Sequence, residues 1–278
     1  MTDEPLLEVE NLRVRFETSR GVTEAVRGVS FQVGRERVGI VGESGSGKSM
    51  TGRSILRLIR PPGVATADRL MFSGIDLQAL SERRMRAMRG RRIAMVMQDP
   101  KYSLNPVMRI GSQLVEALKV HERISKSKAR ERALQMLADV QIRDPERVLS
   151  AYPHELSGGM GQRVMIAMML IPSPDLLIAD EPTSALDVTV QLEVLRILDG
   201  LVKDRGMGLI FISHDLRLVS TFCDRVLVMY LGKIVEEIDA SRLQDAEHPY
   251  TRGLLECLPA IGGSHEPLKV LKRDEAWA

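Results

Sequence analysis

Gly42-Glu43-Ser44-Gly45-Ser46-Gly47-Lys48-Ser49 is the stretch from which the rest of the chain is read. Its spacing is G-x-x-x-x-G-K-S, the pattern of a phosphate-binding loop. Val38-Gly39-Ile40-Val41 precedes it as a short apolar run with the character of a buried strand. After it, Ile55, Leu56 and Ile59 recur at helical spacing, which predicts a helix from Ser49 to Arg60 that stops at Pro61-Pro62-Gly63. Strand, glycine-rich loop and helix in that order are the context the motif requires, and a chance glycine-rich turn lacks it. The glycines let the backbone fold tightly around an anion with several N–H groups turned inward. The helix N-terminus adds partial positive charge. The nucleotide-binding stretch is therefore read as Gly42 to Met50, with Lys48 placed to reach β- and γ-phosphates and the Ser49 hydroxyl placed to ligate Mg²⁺.

A chain of 278 residues has room for one large domain or two small ones around a buried core. Few aromatics and 15 methionines predict a core that is aliphatic and Met-filled. A net charge of +2 gives no argument for nucleic acid as the main ligand. The two cysteines, Cys223 and Cys257, offer no zinc or cluster spacing and suit a reducing compartment. Met1-Thr2-Asp3-Glu4-Pro5 is acidic and no apolar stretch follows, so no signal peptide is expected. No apolar run approaches the roughly 20 residues of a membrane span, so any membrane role is expected to be peripheral.

Leu12, Val14 and Phe16 alternate with arginines, and Val29, Phe31 and Val33 alternate likewise, which predicts two strands with a hairpin turn at Ser19-Arg20-Gly21. Phe16 has two open readings, plain core or a ring stacked on a nucleotide base. Arg83, Arg84, Arg86, Arg89, Arg91 and Arg92 read first as a solvated helix face and second as a surface for a partner or lipid headgroups. Ile93 to Met97 is a buried-strand candidate, and Gln98 at its end falls where sites gather in a parallel α/β sheet. From Tyr102 to Tyr152 the pattern turns helical, at Ile110 to Lys119 and Lys126 to Val140, as an insertion into the α/β core. The insertion closes on Leu156-Ser157-Gly158-Gly159-Met160, directly before a helix that runs from Val164 to Ile171. That turn is either a glycine-rich N-cap or a second anion site at a helix N-terminus.

Asp175 to Asp180 is an apolar run ending in an acid, with Glu181 next. Following a phosphate loop, this pattern places Asp180 on the Mg²⁺ shell and Glu181 on the attacking water. Gly208 to Ile212 is another buried strand, and it delivers His214 to the same edge. Arg225 to Tyr230 and Lys233 to Ile238 read as a hairpin around Leu231-Gly232, and a partly helical tail follows from His248.

Taken together, these motifs resemble the ATPase subunits of ABC transporters. The phosphate loop, Gln98, Leu156-Ser157-Gly158-Gly159-Met160, Asp180 with Glu181, Ser184-Ala185-Leu186-Asp187 and His214 stand in that family's order from about Leu6 to Leu255. Within it the chain looks like the branch that imports peptides, opines and nickel. Three details carry this: the loop itself, Gln98-Asp99-Pro100 with Ser103-Leu104-Asn105-Pro106, and His248-Pro249-Tyr250-Thr251-Arg252-Gly253-Leu254-Leu255. Gly161 departs from the branch, which usually has a polar residue there. The branch's cysteine-rich C-terminal cluster is represented only by Cys257, so no iron–sulfur cluster is expected.

The resemblance implies an α/β P-loop NTPase fold with an N-terminal antiparallel β subdomain and an inserted α-helical subdomain. Residues 1–250 would form one ATPase domain, with a core of about 1–100 and 165–245, a helical subdomain of about 101–164 and a tail of 251–278. It implies ATP and Mg²⁺ as ligands, with Ser49, Gln98 and Asp180 on the metal, Glu181, His214, Lys48 and Gln98 in catalysis, and Phe16 on the adenine. Leu156, Ser157, Gly158, Gly159 and Met160 would contact the nucleotide of a second ATPase subunit, with Ser184 to Asp187 beside them. Two permeases, and through them a solute-binding protein, are the implied partners, at the cytoplasmic face of the membrane. A soluble ABC ATPase acting on ribosomes or DNA, or an exporter ATPase, is the alternative. The first usually carries two cassettes or a long coiled coil, and the peptide-branch details argue against the second.

Overall fold

The structure, a computed structural model, describes residues 4–19, 21–97, 103–184, 187–257 and 274–277. The chain divides into one unit of residues 1–79 with 210–278 and another of residues 80–209.

In the first unit, β1 (Leu7–Thr18) and β2 (Gly21–Val33) pair antiparallel, with Leu7 opposite Val33 and Phe16 opposite Thr23. Alternation explains the pairing: Leu7, Val9, Leu12 and Val14 are buried on β1, as are Val29, Phe31 and Val33 on β2. Three short strands extend this sheet: β4 (Gly63–Thr66) and β5 (Arg69–Phe72) against β1, and β6 (Ile75–Asp76) against β5. A second sheet holds β3 (Arg37–Val41), which runs parallel to β10 (Arg225–Tyr230); β10 turns at Leu231-Gly232 into β11 (Lys233–Asp239). Strand β9 (Gly208–Ile212) ends in this unit, where the Ser213 N–H donates to the Ile40 carbonyl at 3.1 Å. Helix α1 (Lys48–Ile55) follows the phosphate loop. It is shorter than its apolar spacing predicts, because Arg57 turns left-handed at φ 53° while its N–H and that of Leu58 return to the Ser54 and Arg53 carbonyls.

In the second unit, α2 (Glu82–Met88) buries Met85 and Met88 and exposes Arg83, Arg84 and Arg86, the solvated face expected of the basic cluster. Arg89 pairs with Glu82 at 2.6 Å and Arg92 pairs with Asp175. Strand β7 (Ile93–Val96) lies parallel to β8 (Leu176–Asp180), and every residue of both is buried, as their unbroken apolar runs require. Between them in sequence come α3 (Ile110–Lys119), α4 (Lys126–Asp139), α5 (Pro145–Ser150) and α6 (Gly158–Leu170). Leu114 and Leu118 of α3 and Ala133 and Leu137 of α4 are fully buried and Val115 and Leu134 half-buried, so the helical periodicity marks the packing face, except at Ala138, which is exposed. Helix α7 (Val188–Arg205) follows β8. The α/β class, the antiparallel N-terminal sheet and the helical insertion are those expected.

Candidate functional site

The phosphate loop leaves β3 and is packed hard against its own unit. Gly42 adopts φ 150°, and a Cβ there would lie 2.1 Å from the Met229 carbonyl oxygen. Gly47 caps α1 at φ 100°, and a Cβ there would lie 2.4 Å from the Ala25 carbonyl oxygen. Only glycine permits both approaches, so the backbones of β2 and β10, strands of two different sheets, close directly on this loop. The loop is further tied by the Gly232 N–H, which donates to the Ser46 carbonyl at 3.1 Å. Lys48 is 5% exposed, and its ammonium donates to the carbonyls of Gly42 at 2.7 Å and Glu43 at 2.9 Å. The Ser46 Oγ is buried without a hydrogen-bond partner. A buried cation, an unpaired hydroxyl and the N-terminus of α1 converge on one small volume, and that donor set suits an anion of phosphate type.

His214 follows β9 and is exposed. Its neighbours fix it: Ser213 is bonded to Ile40, two residues before the loop, and the Ser213 Oγ accepts the Asp215 N–H at 3.0 Å. Asp215 in turn caps α8 (Leu216–Phe222) through the Leu218 N–H. Phe16 is half-buried over Gly63, where a Cβ would lie 2.6 Å from its ring, so the ring packs on backbone.

In the second unit, Asp180 ends β8 at 2% exposure. Glu181 is in the left-handed region at φ 47°, as are Arg57, Gln141 and several other non-glycine residues at turns. Its carbonyl accepts the Ser184 N–H at 3.3 Å and the Ser184 hydroxyl at 3.2 Å, closing a turn. Ser157 caps α6 by accepting the Met160 N–H at 3.4 Å. Asp187 caps α7 by accepting the Val190 N–H at 3.1 Å. Gly159 lies against α7, where a Cβ would be 2.7 Å from the Val190 Cγ1; at Gly158 a Cβ would meet nothing within 4 Å among the described residues. Leu156 and Met160 are half-buried, and Gly161 is buried. The exposed Ser157-Gly158 turn faces a cavity of 930 Å³ that Gly159, Arg143, Arg147 and Arg163 also line. Arg163 is held by Glu193 and by the Gln141 carbonyl at 3.0 Å. Gln98, Ala185 and Leu186 lie outside the described residues.

Two contacts of these segments were not read from the sequence. The buried Gln162 amide donates to the Pro182 carbonyl and so joins α6 to the turn after Glu181. The Tyr250 hydroxyl accepts the Glu43 N–H of the phosphate loop at 3.0 Å. The His248-Pro249-Tyr250 motif was the available signal for the second; a glutamine inside a helix gave none for the first.

The ABC transporter family model matches residues 26–184. The chain is 51% identical over 257 residues to the probable peptide ABC transporter ATP-binding protein y4tR of Sinorhizobium fredii, covering 91% of this chain and 77% of that one. It is 48% identical to the oligopeptide transport ATP-binding protein OppD of Bacillus subtilis, covering 94% and 74%. Among solved structures it resembles the ATP-binding cassette MJ0796 in a dimeric post-hydrolysis state bound to ADP and Pi, at TM-score 0.75 and 26% identity over 84% of this chain and 98% of that one.

Proposed function

The chain belongs to the ATP-binding subunits of ABC transporters, and on that premise we propose that it energises an importer of peptides or a similar small solute. The reaction is hydrolysis of ATP. The observation that carries the site assignment is the packed loop with buried Lys48 and the unpaired Ser46 hydroxyl. In this reading Gly42 to Met50 hold the phosphates and Phe16 offers its ring to the adenine. Glu181 takes the proton of the attacking water as it adds to the γ-phosphorus, and His214 orients that water and the γ-phosphate. The Ser49 hydroxyl and the Asp180 carboxylate, with Gln98, are hard oxygen donors of the kind Mg²⁺ prefers. When bound, that ion neutralises charge growing between the β- and γ-phosphates.

The signature turn serves a second ATPase subunit. Ser157, Gly158 and Gly159 would meet the nucleotide held by the partner's phosphate loop, so ATP closes the pair and hydrolysis reopens it. Leu156, Met160 and the Ser184 to Asp187 segment flank that contact. Two permeases would receive the motion through the helical segment, and a solute-binding protein would choose the cargo. None of the described helices is long and apolar enough to cross a membrane, and in this reading the permeases hold the chain at the cytoplasmic face.

The test is to purify tagged Glu181→Gln protein from its native membranes with ATP and Mg²⁺ and identify what accompanies it. The expected outcome is two multi-span permeases, with ATP turnover at least about 100-fold below wild type while ATP still binds. Wild-type turnover would remove Glu181 from its role. Ribosomal proteins in place of permeases would move the chain to the soluble class.

A further inference from the structure

We infer that Tyr250 is a positioning residue for the phosphate-binding loop, holding the Gly42–Glu43 peptide at its working geometry through the Glu43 N–H. The inference rests on the reading of Gly42 to Met50 as the ATP phosphate site.

Tyr250 lies in α9 (Pro249–Glu256), 207 residues along the chain from Glu43. It is fully buried. A buried phenol is costly unless its oxygen is hydrogen-bonded, and here a loop N–H supplies the bond at 3.0 Å. The ring is held independently of that bond. It tilts against Tyr230 with centroids 4.3 Å apart, and Trp277 lies 6.4 Å away. Tyr230 ends β10, the strand paired with β3, so the ring's support and the loop grow from neighbouring strands. The start of α9 is pinned as well. The His248 Nδ1 accepts the Tyr250 N–H at 3.2 Å, and a Glu236 carboxylate oxygen on β11 accepts the Glu247 N–H at 2.7 Å.

The Gly42–Glu43 turn is thus gripped from two directions. Lys48 bonds the carbonyls of both residues. Tyr250 bonds the N–H between them. The Lys48 ammonium is also the group that serves the phosphates, and donors spent there leave the carbonyls. The Tyr250 bond does not depend on Lys48, so it keeps the turn in place while the lysine changes partner. Loss of the hydroxyl should therefore weaken ATP binding more than it slows chemistry.

Tyr250→Phe keeps the ring and removes the acceptor. In the full chain, the Kd for ATP with Mg²⁺ is expected to rise about tenfold, the size of one lost part-buried hydrogen bond. KM should rise with it, with kcat of the assembled transporter within about twofold of wild type. Trp277→Phe, which thins the cluster and leaves the hydroxyl, should bind ATP as wild type does. A wild-type Kd in Tyr250→Phe overturns the inference, whatever happens to thermal stability. An equal loss in Trp277→Phe also overturns it, because packing and not the hydroxyl would be responsible. Failure of the wild-type chain to bind ATP would instead bring down the reading of the loop, and this inference with it.

Discussion

The phosphate loop of the first unit and the signature turn of the second are both glycine-rich helix starts, but they differ in what presses on them. At Gly42 and Gly47 the backbone touches carbonyl oxygens of Met229 and Ala25, and no side chain fits. At Gly158 there is open space, and the turn faces a cavity of 930 Å³. The first loop's glycines are explained by its own chain. Nothing among the described residues explains the bareness of Gly158. On the proposed reading the reason lies in the partner, whose nucleotide must come close to that backbone.

The largest effect should come from Gly42→Ala. Its methyl would meet a backbone carbonyl at 2.1 Å, in a conformation that L residues rarely adopt. Denaturant unfolding should show a loss of about 3 kcal/mol, with ATP binding abolished. A variant as stable as wild type would end the contrast. A smaller and more selective effect is expected of Gly158→Ala. Its unfolding free energy should stay within about 0.5 kcal/mol of wild type, and the isolated chain should bind ATP normally. ATP turnover in the assembled transporter should fall about tenfold. Unchanged turnover would deprive the open turn of its role.

The mildest probe sharpens the packed half. Cys223 lies behind β3, where a Cβ on Gly39 would be 3.1 Å from its Sγ. Burial pushes this thiol up to about 12, so at pH 8 only on the order of one molecule in ten thousand holds the reactive thiolate. Alkylation should label the half-buried Cys257 first and reach Cys223 only on unfolding. Equal rates would show that the wall behind the phosphate loop opens readily.

Much of this fold is legible because β3, β8 and β9 are unbroken apolar runs between punctuating polar residues, and each delivers a proposed site residue at its end. The strands β4, β5 and β6 are not legible. They are two to four residues long, mix Arg69 and Asp76 with apolar positions, and owe their form to pairing with β1 and with each other. The helical spacing also overruns the end of α1, since Ile59 continues it past the point where Arg57 turns left-handed. The phosphate loop, the acid pair and the signature turn are local patterns and could be read from neighbours in sequence. The His248-Pro249-Tyr250 motif draws attention to Tyr250 but not to its partner, because the hydroxyl matters only once 207 residues of chain have folded it onto Glu43.

The Gln162–Pro182 bond has a mechanical consequence. Helix α6 begins at the turn offered outward, and Pro182 is the residue after Glu181. Both ends of that bond are buried, so water does not compete for it and the start of the helix is tied directly to the acidic turn. A displacement at the outer end of α6 would reach the carbonyl beside Glu181 through this one bond. Whatever grips one of these segments also sets the tension on the other.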